Sequence, residues 1–379
     1  MKTHLSALII LIAIPVACSL LSCHETNVEE KDPLIILQEI EESDHLIMDL
    51  YPSYLREEYD KTIADVKAVA DSSSCIILYA CDLHFSYPGS GYAEKALLPP
   101  IVNLFLSIKK AEEDLHPNLI FLGGDYIQLP RLEEGQTKEM GFQVLDYINQ
   151  WLDQYQSHHF LIAGNHEENY TGDRTGYGMT LDEFYASSQE KYVENRDISE
   201  VSDNHQVFFL DDQSSKIRFV FLNTTSPEYS SLKEGLQQTL KQTPSDYSVL
   251  VFNHFIGSDY NGLEPQPYQS VMNAMDWIKQ SGVDFIGWIG AHNHADVCYV
   301  YNGKVGLSCL QSGLWTSGLS QDSIRYEHQL STKDEIALSV LVINKKAGKI
   351  HIMRMGLGKD REINYNTQSG NVGLVKSIH

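Results

Sequence analysis

Eight residues along this chain carry side chains that metal ions take as ligands, or sit directly beside one: Asp82, His84, Asp125, Asn165, His166, His254, His292 and His294. They occur at the ends of short apolar runs. CIILYA leads into Cys81-Asp82-Leu83-His84, NLIFL into Gly123-Gly124-Asp125, and HFLIA into Gly164-Asn165-His166-Glu167. SVLVF leads into Asn253-His254, and DFIGWIG into Ala291-His292-Asn293-His294. Imidazoles combined with carboxylates and one amide carbonyl suit borderline divalent metals such as Mn, Fe or Zn, whereas a Ca or Mg site would be mostly oxygen. Singly, each block is weak, because a histidine closing a strand is commonly a polar cap and a Gly-Gly-Asp is commonly a turn. Five blocks in the same place relative to an apolar run point to one site.

The elements that must position these residues are legible in the same stretches. The runs have strand length, and helical spacing fills several gaps: Pro100 to Glu113, Glu139 to Tyr155, and Gln269 to Gln280 before Gly282. Strands alternating with helices predict a largely parallel sheet with the polar strand ends along one edge. Asp82 and His84 are two residues apart, so an extended backbone would point both the same way, and likewise His292 and His294. Between the third and fourth runs, Gln206–Leu210 and Ile217–Leu222 read as a hairpin. After His294 the pattern is antiparallel again: Val297–Tyr301 with Lys304–Leu310 across an Asn-Gly turn, then Ile336–Asn344 with Lys349–Met355. The expectation is one domain with two sheets. Cys75 and Cys81 read as small core residues, and Cys298 with Cys309 as a conceivable bridge.

The first residues read as an export signal. Lys2 precedes an apolar run from Leu5 to Leu21, which ends in Leu20-Leu21-Ser22-Cys23. A small residue before a cysteine at that point resembles the lipobox of bacterial lipoproteins, which implies that Cys23 is the acylated mature N-terminus; an uncleaved anchor or simple secretion is the alternative. Either way the body lies outside the cytoplasm, in the cell envelope. The resulting division is a signal peptide at 1–22, a tether with N-terminal helices (ILQEIEES, then Tyr54 to Ala70) at 23–71, and the domain at 72–379. Net charge is −23, or −24 once Lys2 leaves with the signal. Such a field repels nucleic-acid backbone and argues against a duplex partner.

The ordered series DxH, GD, GNH(E/D), a lone H and GHxH is that of the calcineurin-like metallophosphoesterases, which this chain resembles over roughly residues 75–296. The resemblance implies an α/β fold, a four-layer α/β/β/α sandwich of two mixed sheets, and two metal ions (Mn, Fe or Zn, divalent or trivalent). It implies Asp82, His84 and His294 around one metal, Asn165, His254 and His292 around the other, and Asp125 between them. Catalysis would follow by in-line attack of a metal-bridging hydroxide on phosphorus. His166 would stabilise the developing charge or protonate the leaving alkoxide, its alternative role being to orient Asn165. Two departures stand out. Gln128 occupies the position where the family's protein phosphatases carry an aspartate that pairs with the catalytic histidine, and Ala291 replaces the glycine of the last block.

The remaining candidates are less specific. Glu167 and Glu168 read as solvated carboxylates, the alternative being hydrogen bonds to the histidine ligands. Arg174, in the Gly- and Tyr-rich stretch Asn169–Gly178, is the nearest candidate for a phosphate contact. Met355–Tyr365 (MGLGKDREINY) resembles the closing segment of bacterial and phage metallophosphoesterases, without a derivable role. The expected activity is hydrolysis of a phosphomonoester or phosphodiester of a small substrate, such as a nucleotide, nucleotide-sugar or lipid headgroup. The rivals are a phosphodiesterase or nuclease acting on nucleic-acid fragments and a non-catalytic surface-binding lipoprotein.

Overall fold

Helix α1 (Ser53–Val69) realises its sequence pattern directly: Leu55, Tyr59, Thr62, Ile63 and Val66 recur at spacings of three and four and form its buried stripe. The computed structural model describes residues 51–84, 98–127, 138–167, 179–195, 197–201, 204–223, 232–258, 266–267, 269–292, 294, 296–301, 304–308, 328–365 and 376–377. The export signal, Cys23, the ILQEIEES helix, Gln128, Glu168, Arg174 and Cys309 lie outside these residues.

The chain continues through β1 (Cys75–Ala80), α2 (Leu98–Leu115), β2 (Leu119–Leu122), α3 (Lys138–Asp153) and β3 (His159–Leu161). Next come α4 (Leu181–Phe184), a π turn at Tyr185–Gln189, and α5 (Glu190–Asn195). Strands β4 (Ser199–Glu200), β5 (Val207–Asp212) and β6 (Ile217–Leu222) precede α6 (Lys233–Lys241) and β7 (Ser248–Asn253). The short pair β8 (Gly257–Ser258) and β9 (Gln266–Pro267) is followed by α7 (Gln269–Gln280) and β10 (Asp284–Gly290). Strands β11 (Val297–Tyr301), β12 (Lys304–Ser308), β13 (Ala337–Asn344), β14 (Lys349–Gly356), β15 (Arg361–Asn364) and β16 (Lys376–Ser377) follow. The end of α3 falls short of the expected Tyr155. There the N–H groups of Gln154 and Tyr155 bond three residues back, to Trp151 and Leu152, and the last turn tightens out of α geometry.

The strands form two mixed seven-stranded sheets, ordered β16-β15-β14-β13-β1-β2-β3 and β11-β12-β10-β7-β6-β5-β4. Parallel pairing is confined to β1-β2-β3 in the first and β6-β7-β10-β12 in the second. The anticipated largely parallel sheet is therefore only one side of the first sheet and the centre of the second, and antiparallel strands make up the rest. Strand β7 shows why its sequence is apolar throughout. Val249 and Val251 join the cluster containing Leu236 and Leu240 of α6 and Val271, Ala274, Met275 and Ile278 of α7. On its other face Phe252 meets Phe121 of β2 at 4.4 Å between ring centres, so the two sheets pack face to face. Each such buried side chain stabilises the fold by about 1.5–3 kcal/mol relative to exposure. Helix α1 covers the other sheet, where Thr62 Oγ1 donates to the Arg354 carbonyl of β14, and Phe105 of α2 stacks on Trp151 of α3. The architecture is the expected four-layer α/β/β/α sandwich. Cys75 and Cys81 are buried, and among the described residues no helix is long and apolar enough to cross a membrane.

Candidate metal centre

The ends of β1, β2, β3, β7 and β10 meet along one edge, where Tyr79 of β1 donates to the Gly290 carbonyl of β10 at 3.0 Å and ties the two sheets together. All eight candidate residues converge there. The backbone that presents them departs from expectation. Asp82, His84, Asp125, His292 and His294 have φ of 50°, 46°, 55°, 73° and 53°, in the left-handed region. The pairs two residues apart are thus aimed by left-handed turns and not by strand alternation. Asp and His tolerate this conformation better than most residues, and strained backbone of this kind clusters at functional sites. Hydrogen bonds hold it: Asp82 N–H donates to the Gly124 carbonyl and His84 N–H to the Asp125 carbonyl, each at 2.9 Å.

The glycines have a specific role. Gly124, with φ 92°, would place a Cβ 2.7 Å from the Gly164 nitrogen and 2.8 Å from His254 Nδ1. A Cβ on Gly164 would lie 2.2 Å from Asp125 Oδ1. Any side chain at either position would push the loops of β2 and β3 apart beneath Asp125.

Two groups of potential ligand atoms form, Asp82, His84, Asp125 and His294 in one and Asp125, His254 and His292 in the other. In the first, His84 Nε2 faces His294 Nε2 at 3.0 Å, and Asp82 Oδ1 lies 3.5 Å from His294 Nε2. Asp125 Oδ2 is 3.9 Å from His84 Nε2 and 3.3 Å from His254 Nε2. Asn165 Oδ1 completes the second group, 3.1 Å from His254 Nε2 and 2.8 Å from His292 Nδ1. His254 Nδ1 lies 2.8 Å from the Gly123 carbonyl and donates to it, which leaves Nε2 as the atom facing the site. Two imidazole nitrogens nose to nose beside carboxylate oxygens crowd lone pairs into one space, and a cation relieves that crowding. The donor set fits borderline metals.

Electrostatics point the same way. Burial raises the carboxyls of Asp82 and Asp125, but the surrounding histidines outweigh it, His294 for Asp82 and His254 for Asp125, and both end below the usual range. Burial opposes charge on His254, yet Asp125 pushes it up to about 9. His292, buried and beside His254, is pushed down to about 3, and His84 also lies well below normal through burial and its neighbours His166 and His294. The buried carboxylates and the imidazoles around them thus favour each other's charged forms, most directly at the Asp125–His254 pair.

His166 sits at the rim. Its N–H donates to Asp125 Oδ1 at 2.9 Å, its Nε2 is 3.8 Å from Asp125 Oδ2, and its ring edge meets His84 at 4.6 Å. Burial pushes its pKa down. Glu167 corrects the sequence reading, since it is not solvated. It is 1% exposed and accepts N–H groups from Asp125 and Gly164 on Oε2 and from Tyr126 and Ile127 on Oε1. Burial, then the charge of Asp125, push it up to about 7, against the pull of those donors. Two further residues position the site, Asn223, which the sequence reading does not single out, and Asn253, to which it gives no role. Asn223 accepts from Ala163 N–H at 2.7 Å, and Asn253 donates to the Leu222 carbonyl while accepting from Phe255 N–H. An amide at the end of an apolar run is the signal that could have flagged both.

Comparison with known proteins gives the fold and the chemistry a family. The calcineurin-like phosphoesterase profile matches residues 77–296, more than half of the chain. No curated protein sequence matches at a significant level. Among solved structures the chain is similar to a dimetal phosphatase from Danio rerio, at 12% identity and a TM-score of 0.50, over 77% of this chain and 99% of that one. It is also similar to GAP50, the anchor in the inner membrane complex of Plasmodium, at 13% identity and a TM-score of 0.44, over 78% and 86% of the two chains. At such identity the first likeness establishes the fold alone, while the profile match extends through every block of the site. The chain belongs to the calcineurin-like phosphoesterases and is a metal-dependent phosphoesterase.

Proposed function

We propose that this protein holds two metal ions, Mn, Fe or Zn, and hydrolyses a phosphomonoester or phosphodiester of a small substrate such as a nucleotide, a nucleotide-sugar or a lipid headgroup. The observation that carries this reading is that Asp125 belongs to both groups of potential ligands. Asp82, His84 and His294 would hold one ion, Asn165, His254 and His292 the other, and Asp125 both. When bound, the ions would supply a hydroxide nucleophile at neutral pH and neutralise phosphoryl oxygens.

The chain's own residues do the rest. Asp82 and Asp125, buried and anionic, set the charge the site can accept. Glu167 fixes the backbone of Asp125–Ile127 and ties it to Gly164 in the neighbouring loop. His166, with a side chain 21% exposed where Asp82 and His84 are fully covered, faces the side from which substrate would enter. With its pKa lowered, a neutral imidazole N–H donating to a phosphoryl oxygen or to the leaving alkoxide is the role that fits. Arg174 is proposed as a further phosphate contact. The acidic chain disfavours long polynucleotides as substrates. We further propose export and lipid anchoring at Cys23, on the strength of the leader sequence. A Cys23→Ser variant should lose incorporation of a labelled fatty acid, and unchanged labelling would refute the anchor.

The test of function loads metal-depleted protein with Mn, Zn or Fe and measures bound metal together with turnover of an arylphosphate, a bis-arylphosphate and a panel of nucleotide, sugar and lipid phosphates. Two ions per chain with no turnover of any compound would sink the hydrolase reading. Asp125→Asn should weaken both ions and abolish activity, and an unchanged rate would remove Asp125 from its shared role.

A further inference from the structure

His294 has a side chain 17% exposed, a left-handed backbone, and a place between the end of β10 and the start of β11. Two residues on, Asp296 is 1% exposed. Its Oδ1 accepts from Arg354 Nη2 at 2.7 Å, and Arg361 Nη2 lies 3.0 Å from Oδ2 and donates to the Asp296 carbonyl at 3.0 Å. Arg354 also donates to Ser339 Oγ, its partner across β13 and β14, and its N–H is held by Asp360 Oδ1 at 2.7 Å. The two guanidiniums belong to β14 and β15 of the first sheet, while Asp296 opens β11 at the edge of the second.

We propose that Asp296, Arg354 and Arg361 form a clamp that positions His294 for the metal site. This rests on the two-metal reading above, and it gives the MGLGKDREINY segment the role its sequence alone did not disclose. The physical case is geometric. The site straddles both sheets, with Asp82, His84 and Asp125 from the first and His254, His292 and His294 from the second, so its shape depends on how the sheets are fixed to each other near each ligand. At His254 and His292 that fixing is internal to the site, through the Gly123 carbonyl, Asn165 and the Asp82 carboxylate, which accepts His292 N–H at 3.2 Å. At His294 the contacts within the site, to His84 Nε2 at 3.0 Å and Asp82 Oδ1 at 3.5 Å, are joined by a second inter-sheet tie, the buried Asp296 carboxylate between two guanidiniums. A charge-assisted link of this kind has little tolerance for displacement.

Asp296→Ala would leave two guanidiniums without their anion and threaten the fold, so the test uses Arg361→Met and Arg361→Lys. Mn(II) titration of metal-depleted protein, followed by electron paramagnetic resonance, reads the two sites. Imidazole NMR of the metal-free protein reads His294 itself. Arg361→Met should weaken one Mn(II) site by about 10–100-fold and leave the other at wild-type affinity. It should also shift or broaden the His294 signal while that of His254 stays put, with Arg361→Lys intermediate. An unmoved His294 signal with both affinities unchanged, or equal weakening of both sites, would overturn the clamp. Wild-type protein binding fewer than two Mn(II) would instead defeat the two-metal reading, and the NMR comparison alone would then decide for or against the clamp.

Discussion

Replacing Glu167 by glutamine tests whether a carboxylate holds the backbone beneath the site. The side chain accepts from Asp125 at 2.9 Å, Gly164 at 2.7 Å, Tyr126 at 2.7 Å and Ile127 at 3.2 Å, two bonds to each oxygen. Glutamine has the same shape but keeps one oxygen and turns an NH2 towards two N–H donors, so two bonds vanish and donors face donors. Hydrogen bonds to a charged group contribute about 1.5–3 kcal/mol each, which makes the gross loss about 3–6 kcal/mol. Removing the buried charge offsets part of it. Burial and the charge of Asp125 push the carboxyl up to about 7 even with these N–H donors in place, so that offset is substantial. Global stability should therefore drop by less than that gross loss of about 3–6 kcal/mol, whereas the local effect falls on Asp125, whose backbone already sits at φ 55°. Urea denaturation of the metal-free protein measures the first quantity and Mn(II) titration the second. A modestly lower midpoint with at least tenfold weaker binding is expected. Wild-type Mn(II) affinity in a folded variant would refute the idea that these four bonds position Asp125.

Gly124→Ala combines a left-handed backbone at φ 92° with a Cβ 2.7 Å from the Gly164 nitrogen, and should cost about 2–5 kcal/mol by chemical denaturation and lower metal content with it. A stability loss under 1 kcal/mol would mean that the loops of β2 and β3 part more easily than their contacts indicate. His166→Ala should retain bound metal while turnover falls by about 10²–10⁴, and loss of metal instead would move His166 into the ligand set. Without bound metal, Asp125 pushes His254 up to about 9 from an ordinary 6.5 although burial opposes it, so their pair should stabilise fully below pH 6.5 and lose that stability as pH rises through about 9. Thermal midpoints of chelator-treated protein should fall over that window, and saturating Mn(II) should remove the fall, because a ligating His254 is neutral; a flat profile for the metal-free protein would count against the protonated pair.

What the sequence discloses and what it withholds divide along a physical line. The chemical identity of a strand's last residues is local information. The apolar run Leu119–Leu122 and the Gly123-Gly124-Asp125 that follows could be read as a buried strand opening onto a site, and the structure has that strand there. The conformation of those same residues is not local. Asp82 and His84 look like an alternating pair only if the backbone stays extended, and it does not, because their N–H groups are taken by carbonyls of Gly124 and Asp125 in the loop after the neighbouring strand. Glu167 was misread for a related reason. In a chain with 51 acidic residues a glutamate in a turn reads as solvated, and three of its four donors lie about forty positions upstream. Strand β13 completes the case: it pairs with β1 in full antiparallel register, Cys75 opposite Ile343, which no periodicity within either strand encodes. The same holds for Asp296 and Arg361, 65 positions apart in sequence and 3.0 Å apart in space. The ligands were legible because each strand end carries its own; their aim was not, because it is set by hydrogen bonds whose partners are chosen only when the two sheets close on each other.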